Sequence, residues 1–169
     1  GELADDPFGF QDMDAAVERI ARAIENGERM AVFGDYDADG VTSTAIVLEV
    51  LEHYGFSGLW HLPDRREEGY GMNAEGVEAL HAKGAELLLT VDCGISDAAA
   101  IARARELGMT VVVTDHHLPP EDLPCADVLC NPKLGDCPCK GLAGVGVTFL
   151  LMCELNARLS EDGTPKMDM

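Results

Sequence analysis

The chain has 169 residues, of which 47% are hydrophobic, which is enough for one domain with a buried core. Acidic side chains outnumber basic ones by 31 to 12, and the net charge of −19 argues against unaided binding of long nucleic acid. No apolar run could span a membrane and no secretory signal begins the chain, so a cytoplasmic protein without membrane attachment is expected.

Apolar periodicity and turn residues divide the chain into alternating helices and strands. In chain order, the pattern predicts a helix over 11–26, a strand over 29–34, a helix over 41–54, a strand over 58–62, a helix over 73–83, a strand over 87–91, a helix over 97–107, strands over 110–114 and 126–130, and a helix over 144–159. This alternation predicts an α/β fold, with a doubly wound, mostly parallel sheet of about five strands and helices on both faces.

Three carboxylates, Asp35, Asp37 and Asp39, stand at alternate positions after the first predicted strand. In an extended segment such residues point the same way, about 6–7 Å apart. Like charges on one face repel one another unless a cation or a proton offsets them. Oxygen ligands suit magnesium, manganese or calcium, so the pattern indicates a metal site. A solvated acidic turn, with Asp39 capping the next helix, is the competing interpretation.

The pattern D-x-D-x-D-G also opens the calcium loop of an EF-hand, which needs a bidentate Glu at its twelfth position. Counted from Asp35, that position is the apolar Ile46. The segment before the motif is also predicted as a strand, where an EF-hand has a helix. The EF-hand interpretation is therefore excluded.

Acids and imidazoles also follow two other predicted strands. Asp92 follows the third strand, and Asp115, His116 and His117 follow the fourth. Ligands of such sheets bind beyond the carboxyl ends of the strands, so three strands deliver these side chains to one edge. Chance placement of acidic turns does not predict this convergence, which strengthens the prediction of a metal site.

Other residues suggest roles around such a site. His116 and His117 cannot point the same way in an extended chain, so at most one is expected to bind a metal, while the other meets a phosphate or orients water. Asp115 could fix the tautomer of a ligating histidine. Arg65 is a candidate phosphate clamp, with an ion pair to a neighbouring glutamate as the alternative.

Two further patterns lie towards the C-terminus. Gly144 and Gly146 could present bare backbone N–H groups to an anion, although tight packing at the start of the last helix explains them equally well. The six cysteines lack the paired C-x-x-C spacing of structural zinc sites. Reduced thiols without zinc are therefore expected.

Taken together, these motifs resemble the DHH phosphoesterase superfamily over nearly the whole chain. The motifs are GDYDADGVTSTA, PDRREEGYGM, TVDCGIS, TDHHLPPEDLP and NPKLGDCPCKGLAGVGVTF. GYG and LAGVGV in that order favour the single-stranded-DNA exonuclease branch over small-nucleotide phosphodiesterases and manganese pyrophosphatases. The resemblance implies metal-dependent phosphodiester hydrolysis, as the core of a 5′-to-3′ single-stranded-DNA exonuclease used in DNA repair and recombination.

The resemblance also implies a metal-binding set of four residues. Asp37 and Asp92 would hold one manganese or magnesium ion. Asp39, Asp92 and His116 would hold a second, so that Asp92 bridges the two. Two ions about 3.5–4 Å apart can activate a water and stabilise the leaving oxygen.

The remaining implied roles concern the substrate. His117 would contact the scissile phosphate and Arg65 would help to hold it, while Asp35 and Asp115 would support the site. Arg66 departs from the pattern, because superfamily members tend to have an aromatic residue there.

Superfamily members carry one more metal-ligating Asp downstream of the LAGVGV helix, and this chain stops at Met169, just before that motif. The DHH-associated domain and the OB-like nucleic-acid module of the superfamily are expected to lie outside residues 1–169. Residues 1–169 are therefore expected to be an incomplete DHH domain from an enzyme that binds single-stranded DNA. By itself the chain is expected to bind nucleic acid weakly and to be weak or inactive.

Two alternatives to the exonuclease stay open. A DHH phosphodiesterase acting on short oligonucleotides or cyclic dinucleotides would suit the acidic surface. A non-catalytic DHH protein could serve as a replication scaffold, although the retained metal-binding residues argue against it.

Overall fold

The computed structural model describes residues 10–64, 71–160, 167 and 169. In chain order the elements are α1 (Met13–Asn26), β1 (Met30–Gly34), α2 (Ala38–His53), β2 (Leu59–His61), α3 (Ala74–Ala82), β3 (Leu87–Val91), α4 (Ala98–Glu106), β4 (Thr110–Thr114), β5 (Val128–Cys130) and α5 (Gly144–Ser160). This order confirms the predicted α/β fold. Within the described ranges, no helix combines the length and the apolar character needed to cross a membrane.

The five strands form one parallel sheet in the order β2-β1-β3-β4-β5. The chain moves outward from β1 to β2 and then returns past β1 to form β3. The strand order therefore reverses between β1 and β3, which is where ligands bind in such sheets. Gly34 pairs with Val91, and Val91 pairs with Thr114, so that β1, β3 and β4 end level with one another.

Helices cover both faces of the sheet, as predicted. Val32 and Leu89 point to the face covered by α1, α2 and α5. Phe33 and Leu88 point to the opposite face, which α3 and α4 cover. Strands buried on both faces need continuous apolar runs, and this explains why β1, β3 and β4 lack the polar alternation of half-exposed strands.

The start of α2 differs from the prediction in a way that matters for the site. The helix begins at Ala38, and not at residue 41, because the Asp37 carboxylate caps it by accepting the Gly40 amide at 3.0 Å. The expectation that three carboxylates share one extended segment is therefore wrong, since Asp39 lies in the first helical turn. The residue that caps the helix is Asp37, and not Asp39 as the competing interpretation expected.

Candidate metal centre

Asp92 lies at the centre of the predicted site, directly after β3. Its backbone is left-handed, with φ of 61°, and its amide donates to the carbonyl of Thr114 at 3.0 Å. Aspartate tolerates this conformation better than most residues, although it still costs about 1–2 kcal/mol. A strained residue at the strand-order reversal is typical of a functional position.

Among the described residues, none donates a hydrogen bond to the carboxylate of Asp92. Both oxygens are buried and lack a hydrogen-bond partner within the described part of the chain. Burial, followed by the charges of Asp37 and Asp39, raises the pKa of Asp92 to about 8. A buried carboxylate of this kind must either keep a proton or meet a cation. The residues present therefore fit a divalent ion.

Two groups of potential ligands meet at Asp92. One contains Asp35, Asp37 and Asp92, and the other contains Asp92, His116 and His117. Within each group the ligand atoms all lie within 4.8 Å of one another. Because Asp92 belongs to both groups, its carboxylate could serve two ions, one with each group. The carboxylate oxygens, which predominate, suit magnesium or manganese.

The tautomer of His116 is fixed by a backbone carbonyl. Its Nδ1 lies 3.0 Å from the carbonyl oxygen of Leu142, which can only accept, so Nδ1 carries the proton. When the ring is neutral, Nε2 therefore keeps a lone pair, and this atom lies 3.2 Å from Asp92 Oδ1. That short contact is not a hydrogen bond between the neutral ring and an ionised Asp92. A metal-binding histidine typically donates one ring N–H to a group such as a backbone carbonyl and binds the metal through its other nitrogen, and His116 has this arrangement.

Asp115 organises the histidine pair. Its Oδ1 accepts the amides of His116 and His117 at 2.7 and 3.0 Å and also faces His117 Nδ1 at 2.7 Å. Its Oδ2 accepts the Ile95 amide at 2.9 Å. This turn places the two rings 4.6 Å apart, so the expectation that they point to opposite sides is wrong. The sequence predicts that Asp115 fixes the tautomer of a metal-binding histidine. In the structure its carboxylate faces Nδ1 of His117, whereas Nδ1 of His116 faces the Leu142 carbonyl.

The other two acids of the motif occupy different surroundings. Asp35 is buried, its Oδ1 accepts the Tyr36 amide at 2.7 Å, and burial raises its pKa. Asp39 Oδ2 faces the Gly144 amide at 3.2 Å, and Asp39 belongs to neither of the two ligand groups. Of the four predicted ligands, Asp37 and His116 each share one group with Asp92, whereas Asp39 does not.

Gly144, the first residue of α5, is in close contact with Asp92. A Cβ atom at this position would lie 1.9 Å from Asp92 Oδ1 and 2.5 Å from its Cγ. The Gly144 amide faces Asp39, and the Gly146 amide donates to the carbonyl of Ala143 at 3.0 Å. These contacts agree with tight packing at the helix start, the alternative to anion binding by the two glycines.

Sequence reasoning missed three contributors to this site. Asn131 and Lys133, in the connection after β5, donate to the carbonyls of His117 and His116. The polar Asn-Pro-Lys run after an apolar strand was a usable signal for both. Leu142 contributes its backbone carbonyl. Every residue has one, so the sequence cannot indicate which carbonyl contacts His116. Arg65 lies outside the described residues.

Comparison with known proteins confirms the resemblance found in the sequence. The profile of the DHH family, N-terminal domain, matches residues 29–168. The single-stranded-DNA-specific exonuclease RecJ of Escherichia coli is 48% identical over 154 residues, which cover 89% of this chain and 27% of that protein. The chain thus spans about a quarter of the length of this relative.

Two solved structures share the fold at substantial identity. A crystal structure of exonuclease RecJ bound to manganese has a TM-score of 0.82 and 39% identity, over 93% of this chain and 40% of that one. RecJ from Thermus thermophilus, in complex with Mn²⁺, has a TM-score of 0.77 and 36% identity, over 96% of this chain and 23% of that one. With the profile match covering most of its length, the chain belongs to the DHH family.

Proposed function

We propose that this chain is the catalytic core of a metal-dependent exonuclease that hydrolyses single-stranded DNA from its 5′ end. The observation that carries the proposal is Asp92, whose buried carboxylate lacks a hydrogen-bond partner among the described residues and belongs to both groups of potential ligands. Two manganese or magnesium ions, held about 3.5–4 Å apart, would polarise the scissile phosphate and activate the attacking water. The side chains of this chain would bind the metal ions and position the phosphate.

The proposed metal-binding residues are Asp37, Asp39, Asp92 and His116. Asp37 supports one ion position together with Asp92, and its neighbour Asp35 adds buried negative charge beside them. His116 supports the other position through Nε2. Asp39 is included because its Oδ2 lies 3.2 Å from the amide of Gly144, the residue that packs against Asp92.

We assign His117 to the substrate and not to a metal. Its ring is held by Asp115, and its side chain is 39% exposed against 25% for His116. It therefore has the better access to an incoming phosphate. A cavity of about 180 Å³, lined by Cys93, Ser96 and His117 among others, lies beside the ring and offers room for part of a nucleotide. Arg65 is proposed to clamp the same phosphate, since Arg–phosphate pairs are charge-assisted.

Single-stranded DNA as the substrate is supported by the relatives, which are single-stranded-DNA-specific exonucleases. Because the net charge is −19 and a groove that binds single strands is normally basic, we expect this chain to bind DNA weakly. We propose that residues 1–169 are an incomplete DHH domain and that further domains bind the DNA strand. A role in cytoplasmic DNA repair and recombination belongs to the same proposal.

A second candidate is a phosphodiesterase for short oligonucleotides or cyclic dinucleotides. The acidic surface favours it, because a small substrate needs few contacts outside the metal site. The two candidates differ in what happens to a long strand. An exonuclease shortens it stepwise from one end, whereas the alternative enzyme leaves it intact and cleaves dinucleotides.

The test compares this chain with the full gene product that contains it. Both are incubated with manganese and a single strand labelled at either end, with a duplex and a cyclic dinucleotide as competing substrates. Stepwise loss of nucleotides from the 5′ end by the full product, absent in its Asp92→Asn variant, is the expected result. Cleavage of the dinucleotide alone would establish the second candidate, and no metal-dependent cleavage of any substrate would remove both.

A further inference from the structure

The histidine pair lies outside every helix and strand, so other contacts must fix its backbone. Both amides of the pair donate to Asp115, which accounts for the N–H groups of His116 and His117. Their two carbonyls are bonded by side chains from a different part of the chain. These side chains belong to Asn131 and Lys133, in the connection after β5.

Asn131 uses both ends of its side-chain amide. Its Nδ2 donates to the carbonyl of His117 at 3.0 Å, while its Oδ1 accepts the backbone amide of Lys133 at 2.9 Å. The residue is 0% exposed. A buried amide that is bonded at both ends has one orientation, so it fixes the distance between the two loops.

Lys133 makes the matching contact one residue earlier in the pair. Its ammonium group donates to the carbonyl of His116, and the side chain is half-buried. The ring of the same histidine is held by the carbonyl of Leu142. His116 is thus hydrogen-bonded at its amide, its carbonyl and its Nδ1. These three contacts fix the orientation of the ring and so the direction in which Nε2 points.

The connection that carries these side chains is anchored to the sheet. The Asp115 amide donates to the carbonyl of Cys130 at 3.1 Å, which continues the pairing of β4 with β5 by one residue. Asn131 is therefore held beside Asp115 by the strand ladder itself. Functional groups supported from regular elements are placed more reproducibly than groups that depend on a loop.

We propose that Asn131 and Lys133 are positioning residues that hold the imidazoles of His116 and His117 in the geometry that the metal and the phosphate require. Neither residue is assigned a contact with the substrate or a metal. The hydrogen bonds of Asn131 and Lys133 to the two carbonyls do not depend on any activity. Their contribution to metal binding rests on the proposed function. Groups that orient metal-binding histidines typically contribute 10–100-fold to metal affinity, so a loss of about tenfold is expected when one is removed.

The test uses Lys133→Met, because a half-buried lysine can be replaced without opening the core. Manganese affinity is measured by calorimetry, and the ring nitrogens of the metal-free protein are observed by two-dimensional ¹H–¹⁵N NMR. We expect about tenfold weaker manganese binding and changed ring signals for His116. Removing a nearby positive charge would by itself strengthen cation binding, so a measured loss reports lost positioning and not lost charge.

Three further variants complete the design. Lys133→Arg keeps a donor for the His116 carbonyl and should retain most of the affinity. Lys140→Met removes an exposed lysine from the same connection and should leave affinity and ring signals as they were. Asn131→Ala should change the ring signals of His117, with the backbone amide spectrum showing that the sheet is intact.

Wild-type manganese affinity together with unchanged ring signals in both Lys133→Met and Asn131→Ala would overturn the proposal. Tighter manganese binding by Lys133→Met would overturn the positioning role of this residue, since it would reveal a purely electrostatic effect. If the ring signals change as expected but the full gene product shows no nuclease activity, the proposed function fails while the positioning inference stands.

Discussion

The Nε2 atom of His116 lies 3.2 Å from Oδ1 of Asp92. With the Nδ1 proton of the same ring directed at the Leu142 carbonyl, the neutral form of the ring sets a nitrogen lone pair against a buried carboxylate. A proton on Asp92 relieves the repulsion in the metal-free chain, in agreement with the raised pKa of about 8. A metal ion would take the place of that proton, and this exchange leads to measurable consequences.

Manganese binding should release a proton below pH 8. Asp92 carries that proton in the metal-free chain, and the metal must displace it. We expect the affinity to rise by up to about tenfold per pH unit towards pH 8 and then to level off. Calorimetry in two buffers with different ionisation enthalpies measures the proton count directly. Affinity independent of pH between 6 and about 8 would contradict the raised pKa of Asp92.

The metal-free chain should lose stability as the pH rises. The folded protein keeps the Asp92 proton up to a pKa of about 8, whereas the unfolded chain loses it near 3.8, so the folded state binds more protons between these values. The free energy of unfolding then falls as the pH increases through this window. Asp35, whose pKa is also raised by burial, adds to the same trend.

Thermal melting of Asp92→Asn without metal checks this expectation. The variant removes the ionisable group, so its stability relative to the wild type should improve steadily from pH 5 to pH 8. Asp122→Asn, at an exposed position in a loop, serves as the control and should follow the wild type. A constant difference between Asp92→Asn and the wild type across this range would show that Asp92 does not titrate there.

Gly144→Ala should separate metal binding from folding. The new methyl group would lie 1.9 Å from Asp92 Oδ1, so the carboxylate or the helix start must move. Alanine favours a helix over glycine by about 1 kcal/mol, which offsets part of the strain. We expect at least about tenfold weaker manganese binding, because the displaced group is a proposed ligand. Gly141→Ala is the matched control, since a Cβ there meets nothing within 4 Å.

The two histidines should give different phenotypes in the full gene product. His116→Ala removes a proposed ligand and should weaken manganese binding. His117→Ala removes a proposed phosphate contact and should lower turnover by about 100-fold while manganese affinity is retained. Equal losses of manganese affinity in both variants would show that both imidazoles bind metal, as the grouping of Asp92, His116 and His117 allows.

The parts of the fold that the sequence predicted well are those with strong local signals. β1, β3 and β4 are continuous apolar runs, and each is followed at once by the acids or imidazoles of the site. Their convergence followed from the parallel sheet alone. The start of α2 was misplaced because Asp39 and Gly40 are weak helix formers, and the cap that overrides this preference is a single side-chain contact from Asp37.

The supporting contacts could not be predicted because they join distant parts of the chain. His116 meets the Leu142 carbonyl across 26 positions, and Asn131 reaches His117 across 14. The positions of both histidine rings depend on these contacts and on the turn made by Asp115. Residue types alone therefore suggested a metal site, whereas the direction of each ring required the structure.

Electron paramagnetic resonance of the full gene product titrated with manganese tests the central claim, that Asp92 is shared by two ions. Two Mn²⁺ ions bridged about 3.5–4 Å apart are spin-coupled and give a spectrum unlike that of isolated ions. We predict a coupled spectrum for the wild type and only isolated-ion signals for Asp92→Asn. Isolated-ion signals from the wild type at saturating manganese, or a coupled spectrum that persists in Asp92→Asn, would contradict the claim.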